Sequence, residues 1–453
     1  MRSKTATRFI VRFRICAILT FLLGIITPNA FAQNILTLEQ AIAIALEENY
    51  AIRISEKRIS IAENDNTLGN AGFLPSLNVA AQKNFTNSHL RQEFFNALQA
   101  PIDRSGVNNN NSNTGVSLNW TIFDGLGMFV ARDRLEELEQ AGRTNAKITI
   151  ENTVADISSA YYEIIRQYQR VRALRNALDI SNDRLELAKA FYEVGRGSKV
   201  DFINAQVDYN GDTAAYIAQV QTLDNAKIDL NALLARNTSE DFAVPDTVIA
   251  RRDISVDDLR QNLLAQNPNL VFAAQQRRLA ELNIKALSAQ QLPQVDLLGG
   301  FAYTTSNNQA GFGLKKGRND IWSYGARVSV NLFDGFNQRR RIQNAKINSL
   351  ITEDQESDVR NQLLAAFDRS LLRYRNSLQL VALEEANTKL ARQNVEIAFE
   401  RYKVGNSTSY EFREVQRNTV AAETRLIEAE YNAKLAEIEL LRLSGGLLEE
   451  VRM

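Results

Sequence analysis

The side chains that most often carry out chemistry are nearly missing from this sequence. There is one histidine, His89, and one cysteine, Cys16, in 453 residues. A Cys/His zinc site needs several such ligands, and a nucleophile–histidine–acid triad needs a histidine beside the nucleophile. The composition excludes the first and argues against the second. Glu47-Glu48 offers adjacent carboxylates. Neighbouring residues on a helix do not share a face, so these two cannot act together. No glycine-rich phosphate loop is present. Lys plus Arg and Asp plus Glu each number 53, so bulk charge gives no grip on nucleic acid. The expectation is a protein that is no enzyme, with no catalytic residue, cofactor, metal site or nucleic-acid partner.

The remaining information is architectural. Length alone suggests about three ordinary domains. The six prolines stand at 28, 75, 101, 245, 268 and 293. Stretches 102–244 and 294–453 therefore have none, and each can hold a very long helix. Residues 1–32 have the three parts of a cleaved export signal. Arg2, Lys4, Arg8, Arg12 and Arg14 precede an apolar run from Ile15 to Ile26, and Ala30-Phe31-Ala32 supplies the cleavage site before Gln33. Twelve residues make a helix of only ~18 Å, short of the ~30 Å hydrocarbon core. Cys16 follows Arg14 and Ile15, which does not fit a lipoprotein signal. Removing the segment takes five basic residues and no acidic one, so 33–453 has no cysteine and a net charge of −5. No other segment reaches 18 consecutive apolar residues, so membrane insertion would need strands.

The sequence matches itself. Asn49 aligns with Asn267, and Leu74-Pro75 with Leu292-Pro293, at an offset of 218. Phe123-Asp124-Gly125 aligns with Phe333-Asp334-Gly335, Tyr192-x-Val194-Gly195 with Tyr402-x-Val404-Gly405, Gln206 with Gln416, and Leu233 with Leu443, all at 210. The change of offset falls between Pro75 and Phe123, around the Asn-rich run 108–111, as a difference in loop length. Two structural repeats follow, 33–236 and 256–446, joined by a linker at 237–255 and followed by a tail at 447–453. Each repeat predicts helix, strand, loop, strand, very long helix, turn and helix.

The first helix of each unit is predicted over 38–71 and 256–289, with Thr37 as an N-cap. The period then changes to two. Val116, Leu118, Trp120 and Ile122 alternate with Ser117, Asn119 and Thr121. Strands of about ten residues are expected at 74–86, 114–123, 292–305 and 323–333. That length crosses a bilayer when tilted, and the alternation provides one face for lipid and one for a lumen. Residues 127–193 and 337–403 predict helices of ~100 Å. Val171, Leu174, Leu178, Ser181, Leu185, Ala188 and Tyr192 follow the 3-4 spacing of a coiled coil. Shorter helices at 199–236 and 409–446, stacked end to end with the first helices, match the long ones in length. Four strands cannot close a membrane barrel, so two chains would pool eight or three would pool twelve. Spacing does not choose between these.

At this point the chain resembles the TolC-like family of outer-membrane efflux and secretion ducts, the outer membrane factors. The resemblance covers 36–446. It rests on the duplicated order of elements, the two Phe-Asp-Gly junctions and the two Tyr-x-Val-Gly turns. It implies a mixed α and β fold in which a homotrimer shares a twelve-stranded barrel in outer-membrane lipid. A periplasmic tunnel of coiled-coil helices would continue it, with the linker and chain ends as a belt. Loops 86–114 and 305–322 would face outside. The implied partners are a periplasmic adaptor (membrane fusion) protein and an inner-membrane pump or ABC exporter. The cargo would be small toxic compounds or secreted polypeptides.

The resemblance also implies sites. Asp201 and Tyr402 match the periplasmic gate, Glu411 is grouped with them, and Glu414 matches an acidic ring at the tunnel entrance. Ser407 stands where some members have a gate arginine, so that bond is lost here, and Arg196 is the candidate substitute. Val194, Gly195 and Arg196, with Val404, Gly405 and Asn406, match the tips on which adaptors dock. Phe123-Asp124-Gly125 and Phe333-Asp334-Gly335 are expected to be structural bends in which Asp accepts helix-start amides. The competing reading is a soluble periplasmic coiled-coil scaffold, which explains the helices and leaves the two-faced strands unexplained.

Overall fold

The computed structural model describes residues 35–95, 98–309 and 314–447. The export signal, its cleavage site and tail residues 448–453 lie outside the described residues. In chain order the elements are α1 (Leu38–Glu48), α2 (Tyr50–Asp65), β1 (Ser76–Gln92), β2 (Ile102–Asp124), α3 (Gly127–Glu193) and α4 (Lys199–Leu233). Then follow α5 (Val256–Gln266), α6 (Pro268–Ala289), β3 (Gln294–Asn308), β4 (Lys316–Ser329), α7 (Asn337–Lys403) and α8 (Ser409–Ser444).

The long helices α3 and α7 have 67 residues each, as the proline-free stretches predict. Each folds back through a glycine turn onto a shorter helix, α4 or α8. Gly195 and Gly405 take φ of 74° and 80°, a region that penalises any Cβ. Arg196 N–H then donates to Phe191 C=O, and Asn406 N–H to Arg401 C=O, so both helix ends are satisfied. Ser198 and Thr408 cap the returning helices.

Two expected helices are broken. The segments at 38–71 and 256–289 each divide at an asparagine. Asn49 and Asn267 leave helical geometry (ψ 128° and 120°) and start a new helix by accepting amides with Oδ1. Their Nδ2 groups donate to Leu233 C=O at 2.7 Å and Leu443 C=O at 2.8 Å. Thus α4 meets α2 end to end, α8 meets α6 in the same way, and each joint is pinned by one asparagine. At Asn49 the break is hidden because apolar spacing continues through it, whereas at Asn267 the following Pro268, at the first helical position, marks a new helix start. The first segment also stops at Asp65, and Thr67–Gly72 form turns. The returning helices end at Leu233 and Ser444, a few residues before 236 and 446.

The helices form one layer. Near the turns its order is α4, α3, α8, α7; near the sheet it is α2, α3, α6, α7. The linker crosses this layer at the joints. Leu36 N–H donates to Ala243 C=O, Gln169 to Asp246 C=O, and Tyr161 to Leu36 C=O. Phe242, Val248, Leu230 and Ile164 share the core there.

The four strands form one antiparallel sheet in the order β1-β2-β3-β4, with β1 and β4 as open edges. The expected ten-residue strands are too short: the observed ones have 17, 23, 15 and 14 residues. Much of 86–114 and 305–322, expected as loops, is paired strand out to Gln92↔Ile102 and Asn307↔Lys316. A backbone ladder needs no apolar side chain. Where both faces meet water the apolar alternation disappears, and the Asn-rich run pairs unseen, with Asn87 donating to Asn108 at 2.9 Å. β4 ends at Ser329 rather than 333, because the chain is leaving the sheet for α7.

Candidate functional site

Two regions carry the candidate residues. The first is the end of the helical layer at the two glycine turns. Tyr402 is buried there, stacked on Phe412 at 5.7 Å and edge-on to Phe191 at 6.4 Å. Its hydroxyl lies against Ser409 and Arg184; burial pushes it above the ordinary tyrosine value, which those two oppose and Asp201 reinforces. Asp201 itself is exposed. Its carboxylate accepts from Ser198 Oγ at 2.7 Å, and within one chain no hydrogen bond joins it to Tyr402 among the described residues. Glu411 is occupied locally. It accepts from Thr408 N–H at 3.0 Å and Ser407 Oγ at 2.9 Å, which hold its carboxyl below the usual range. Ser407, standing where an arginine is absent, thereby supports this cap. Arg196 lies over the Phe191 ring, 5.4 Å from its centre. Glu414 is exposed on α8, and Val194 and Val404 project 69% and 64% exposed at the two turn tips.

Behind the aromatic stack lies a charged cluster that sequence reasoning missed. Arg184 of α3, 2% exposed, donates to Asp208 of α4 at 2.7 Å and to Ser409 of α8 at 3.2 Å. Arg413 of α8 holds Asp212 of α4 through two bonds of 2.6 and 2.8 Å. Gln416 donates to Ser181 Oγ and Ala177 C=O, each at 2.8 Å. The cluster therefore ties one hairpin to the other. Arg184 is buried while the other three charges are partly exposed, so deleting a partner costs at most about 3–5 kcal/mol, the most where Arg184 is stranded. Its signal in the sequence was a polar residue, Ser181, within the coiled-coil stripe, and the glutamine Gln416 repeated at Gln206.

The Phe-Asp-Gly junctions lie at the opposite end of the long helices, and only one matches its expected cap. Asp334 accepts from Gln338 N–H at 2.7 Å. Asp124 makes no cap bond, and its Oδ1 is buried without a partner. The turns instead run through consecutive left-handed residues, Gly125-Leu126 and Gly335-Phe336. A Cβ on Gly125 would also lie 2.3 Å from Ala289 O, so glycine is needed there for space as well. Phe123 and Phe333 sit at the matching ends of β2 and the segment after β4.

The second region is the sheet. Its register sorts side chains cleanly by face. Val79, Val116, Phe301 and Trp322 form one cross-strand row, and Leu77, Leu118, Gly299 and Tyr324 the next. The opposite face carries Asn78, Ser117, Gly300 and Ser323, then Gln82, Asn113, Thr304 and Asn319. Leu298 and Ile321 are apolar exceptions on that face. Within β3 the outward apolar band runs from Val295 to Tyr303, nine residues or ~20 Å at a ~40° tilt, close to the ~25 Å of an outer-membrane girdle. No described helix is long and apolar enough to cross a membrane.

His89 sits beyond this band on the β1–β2 hairpin. It meets Ser105 Oγ at 2.7 Å and Asp103 at 3.3 Å. The His and Asp side chains are 56% and 61% exposed, so the trio is a surface hydrogen-bond row in open water.

A two-faced sheet with an outward apolar band, carried on ~100 Å helical hairpins, defines an outer-membrane channel protein. The chain belongs to the outer membrane efflux protein family, whose model matches residues 41–236 and 259–446. It is 22% identical over 395 residues to the outer membrane protein TolC of Vibrio cholerae, covering 85% of each chain. Among solved structures it is similar to VceC of Vibrio cholerae, with a TM-score of 0.73 and 19% identity over 90% of this chain and 96% of that one. It is also similar to CmeC of Campylobacter jejuni, with a TM-score of 0.76 and 14% identity over 90% and 86%. The protein is an outer-membrane efflux or secretion duct, and the soluble scaffold reading is set aside.

Proposed function

We propose that three copies of this chain close into one passive export duct. The carrying observation is that the sheet has two open edges, β1 and β4, which lipid does not tolerate. Three copies pool twelve strands. The helical layer has matching open edges. Leu383, Leu390 and Ile397 on α7, and Val404 just past its end, recur every seven residues and are each more than half exposed. On α4, Val200, Val207 and Ile217 are similarly exposed. These stripes meet when α7 of one copy packs on α4 of the next, so one rotation closes both sheet and helices. The apolar face then turns to lipid and the Asn- and Ser-rich face to the lumen.

The matching order of elements in the two halves, and the equivalent bonds of Asn49 and Asn267, support two structural repeats in each chain. Asp201, Tyr402, Glu411 and Glu414 would ring the periplasmic end, with Asp201 available to bond across a protomer boundary because Ser198 is its one side-chain partner among the described residues. The tips at Val194-Gly195-Arg196 and Val404-Gly405-Asn406 would receive an adaptor, and an inner-membrane pump or ABC exporter would supply the energy.

The test is planar-bilayer conductance with oligomer mass taken from the same detergent-purified sample. A trimer with small, stable steps is expected. Asp201→Ala combined with Tyr402→Phe should enlarge those steps. A monomeric, water-soluble species without conductance would refute the duct, and unchanged steps in an intact trimer would refute the gate.

A further inference from the structure

Past the Trp322 row and one further row of Ala81, Thr114, Tyr303 and Asp320, the same outward face becomes basic. Lys83, Ser112, Thr305 and Arg318 form one cross-strand row. Phe85, Asn110, Asn307 and Lys316 form the next row outward. All of these but Phe85 line a shallow depression of about 490 Å³. The first row lies four residues past the Trp322 row, or ~13 Å along the strand and ~10 Å along the membrane normal. That is the depth of lipid headgroups for side chains that reach back toward the interface.

These cations are not consumed within the chain. Among the described residues neither Lys83 nor Lys316 forms an ion pair; Lys83 lies over the Phe85 ring at 5.1 Å. Arg318 has one exposed carboxylate partner, Asp320 at 3.6 Å, and lies over Tyr303 at 5.0 Å. Exposed pairs of that kind hold little energy. Hydroxyls and amides fill the space between the cations, so the row offers neutral donors as well as charge. A phosphate held this way would gain charge-assisted bonds from Lys and Arg and ordinary ones from Ser112 and Thr305.

We propose that this patch binds the phosphate of an outer-leaflet lipid headgroup, seating the barrel in its membrane. The occupant is a lipid rather than a free anion because the patch continues the apolar face: acyl chains would run down over Phe301, Trp322 and Val79 while the headgroup phosphate meets the cations. The proposal rests on that face being turned to lipid.

The experiment uses the full mature trimer carrying Trp120→Phe, so that Trp322 is its one tryptophan. Binding of bisphosphorylated lipid A and of the same lipid after dephosphorylation is measured in detergent. The protein should prefer the phosphorylated form at least tenfold, and Lys83→Gln, Lys316→Gln and Arg318→Gln together should reduce that preference below threefold at unchanged oligomer mass. No preference in the parent, or an undiminished one in the triple variant, would overturn the assignment. Displacement by equimolar inorganic phosphate would assign the patch to a free anion and also overturn it. Quenching of Trp322 by brominated acyl chains reports the lipid face separately. Without quenching, the face reading fails and the patch with it; with quenching and no phosphate preference, the patch alone fails.

Discussion

Glu414 is exposed on the second turn of α8, and nothing within its own chain neutralises it through an ion pair among the described residues. Three such carboxylates around a narrow opening would focus the field and favour cations. Glu414→Ala is expected to reduce cation selectivity, read as a smaller reversal potential in a salt gradient; an unaltered potential would remove it from the pore. Glu430 behaves differently. Burial, followed by the nearby Glu385, raises its carboxyl above the ordinary glutamate value. A carboxyl raised on folding is a burden while charged: it lowers stability above its folded pKa, and the burden disappears as pH falls below the unfolded value. Glu430→Gln should therefore raise the melting temperature at pH 8 and leave it unchanged at pH 4, which thermal unfolding in detergent can check. Neither Glu430 nor the Arg184–Asp208 and Arg413–Asp212 pairs could be read in sequence as partners: Arg413 and Asp212 lie 201 residues apart on different hairpins, and Arg184 and Asp208, though on one hairpin, meet only through the register of its two arms. The turns, by contrast, were legible, since Gly195 and Gly405 sit where a left-handed residue must.

The two joints between stacked helices are built alike with one difference. Gly445 ends α8 with φ 73°, whereas the equivalent Ala235 after α4 takes φ 53°. Both close the same pair of bonds: Ala235 N–H to Ala232 C=O and Arg236 N–H to Asn231 C=O in one, Gly445 to Arg442 and Gly446 to Leu441 in the other. A left-handed alanine costs about 1 kcal/mol more than glycine. Ala235→Gly should stabilise the first joint by roughly that amount, visible in denaturant midpoints at constant slope. Strands and long helices were recognisable because their apolar periods differ and proline is absent. The Asn49 joint was not, because that asparagine caps a new helix without disturbing the 3.6 period; the Asn267 joint was signalled by Pro268 but masked by the continuing apolar spacing. The outer parts of β1 and β2 were not, because with both faces in water there is no alternation to read.

Assembly is where most of the exposed apolar surface finds a purpose. Leu390 and Ile397 stand 64% and 60% exposed on the α7 edge, seven residues apart. Leu390→Glu with Ile397→Glu should leave the chain's own hairpins folded, since neither side chain faces α8, yet shift the purified protein from trimer to monomer. Light scattering in detergent would decide it, and a persistent trimer would move the protomer boundary elsewhere. The number of copies could not be obtained from spacing. An open sheet demands closure, but twist and tilt, which set how many strands complete a circle, are not written as a residue pattern.

Of the four rods that make up the layer at any height, α3 and α7 run unbroken for 67 residues while the other two are interrupted at the belt. A bundle bends most easily where fewest of its members are continuous. In the proposed trimer the side with the glycine turns would therefore widen like the petals of a flower, flexing at Asn49 and Asn267, while the strands kept their circumference and the seal with the membrane stayed intact.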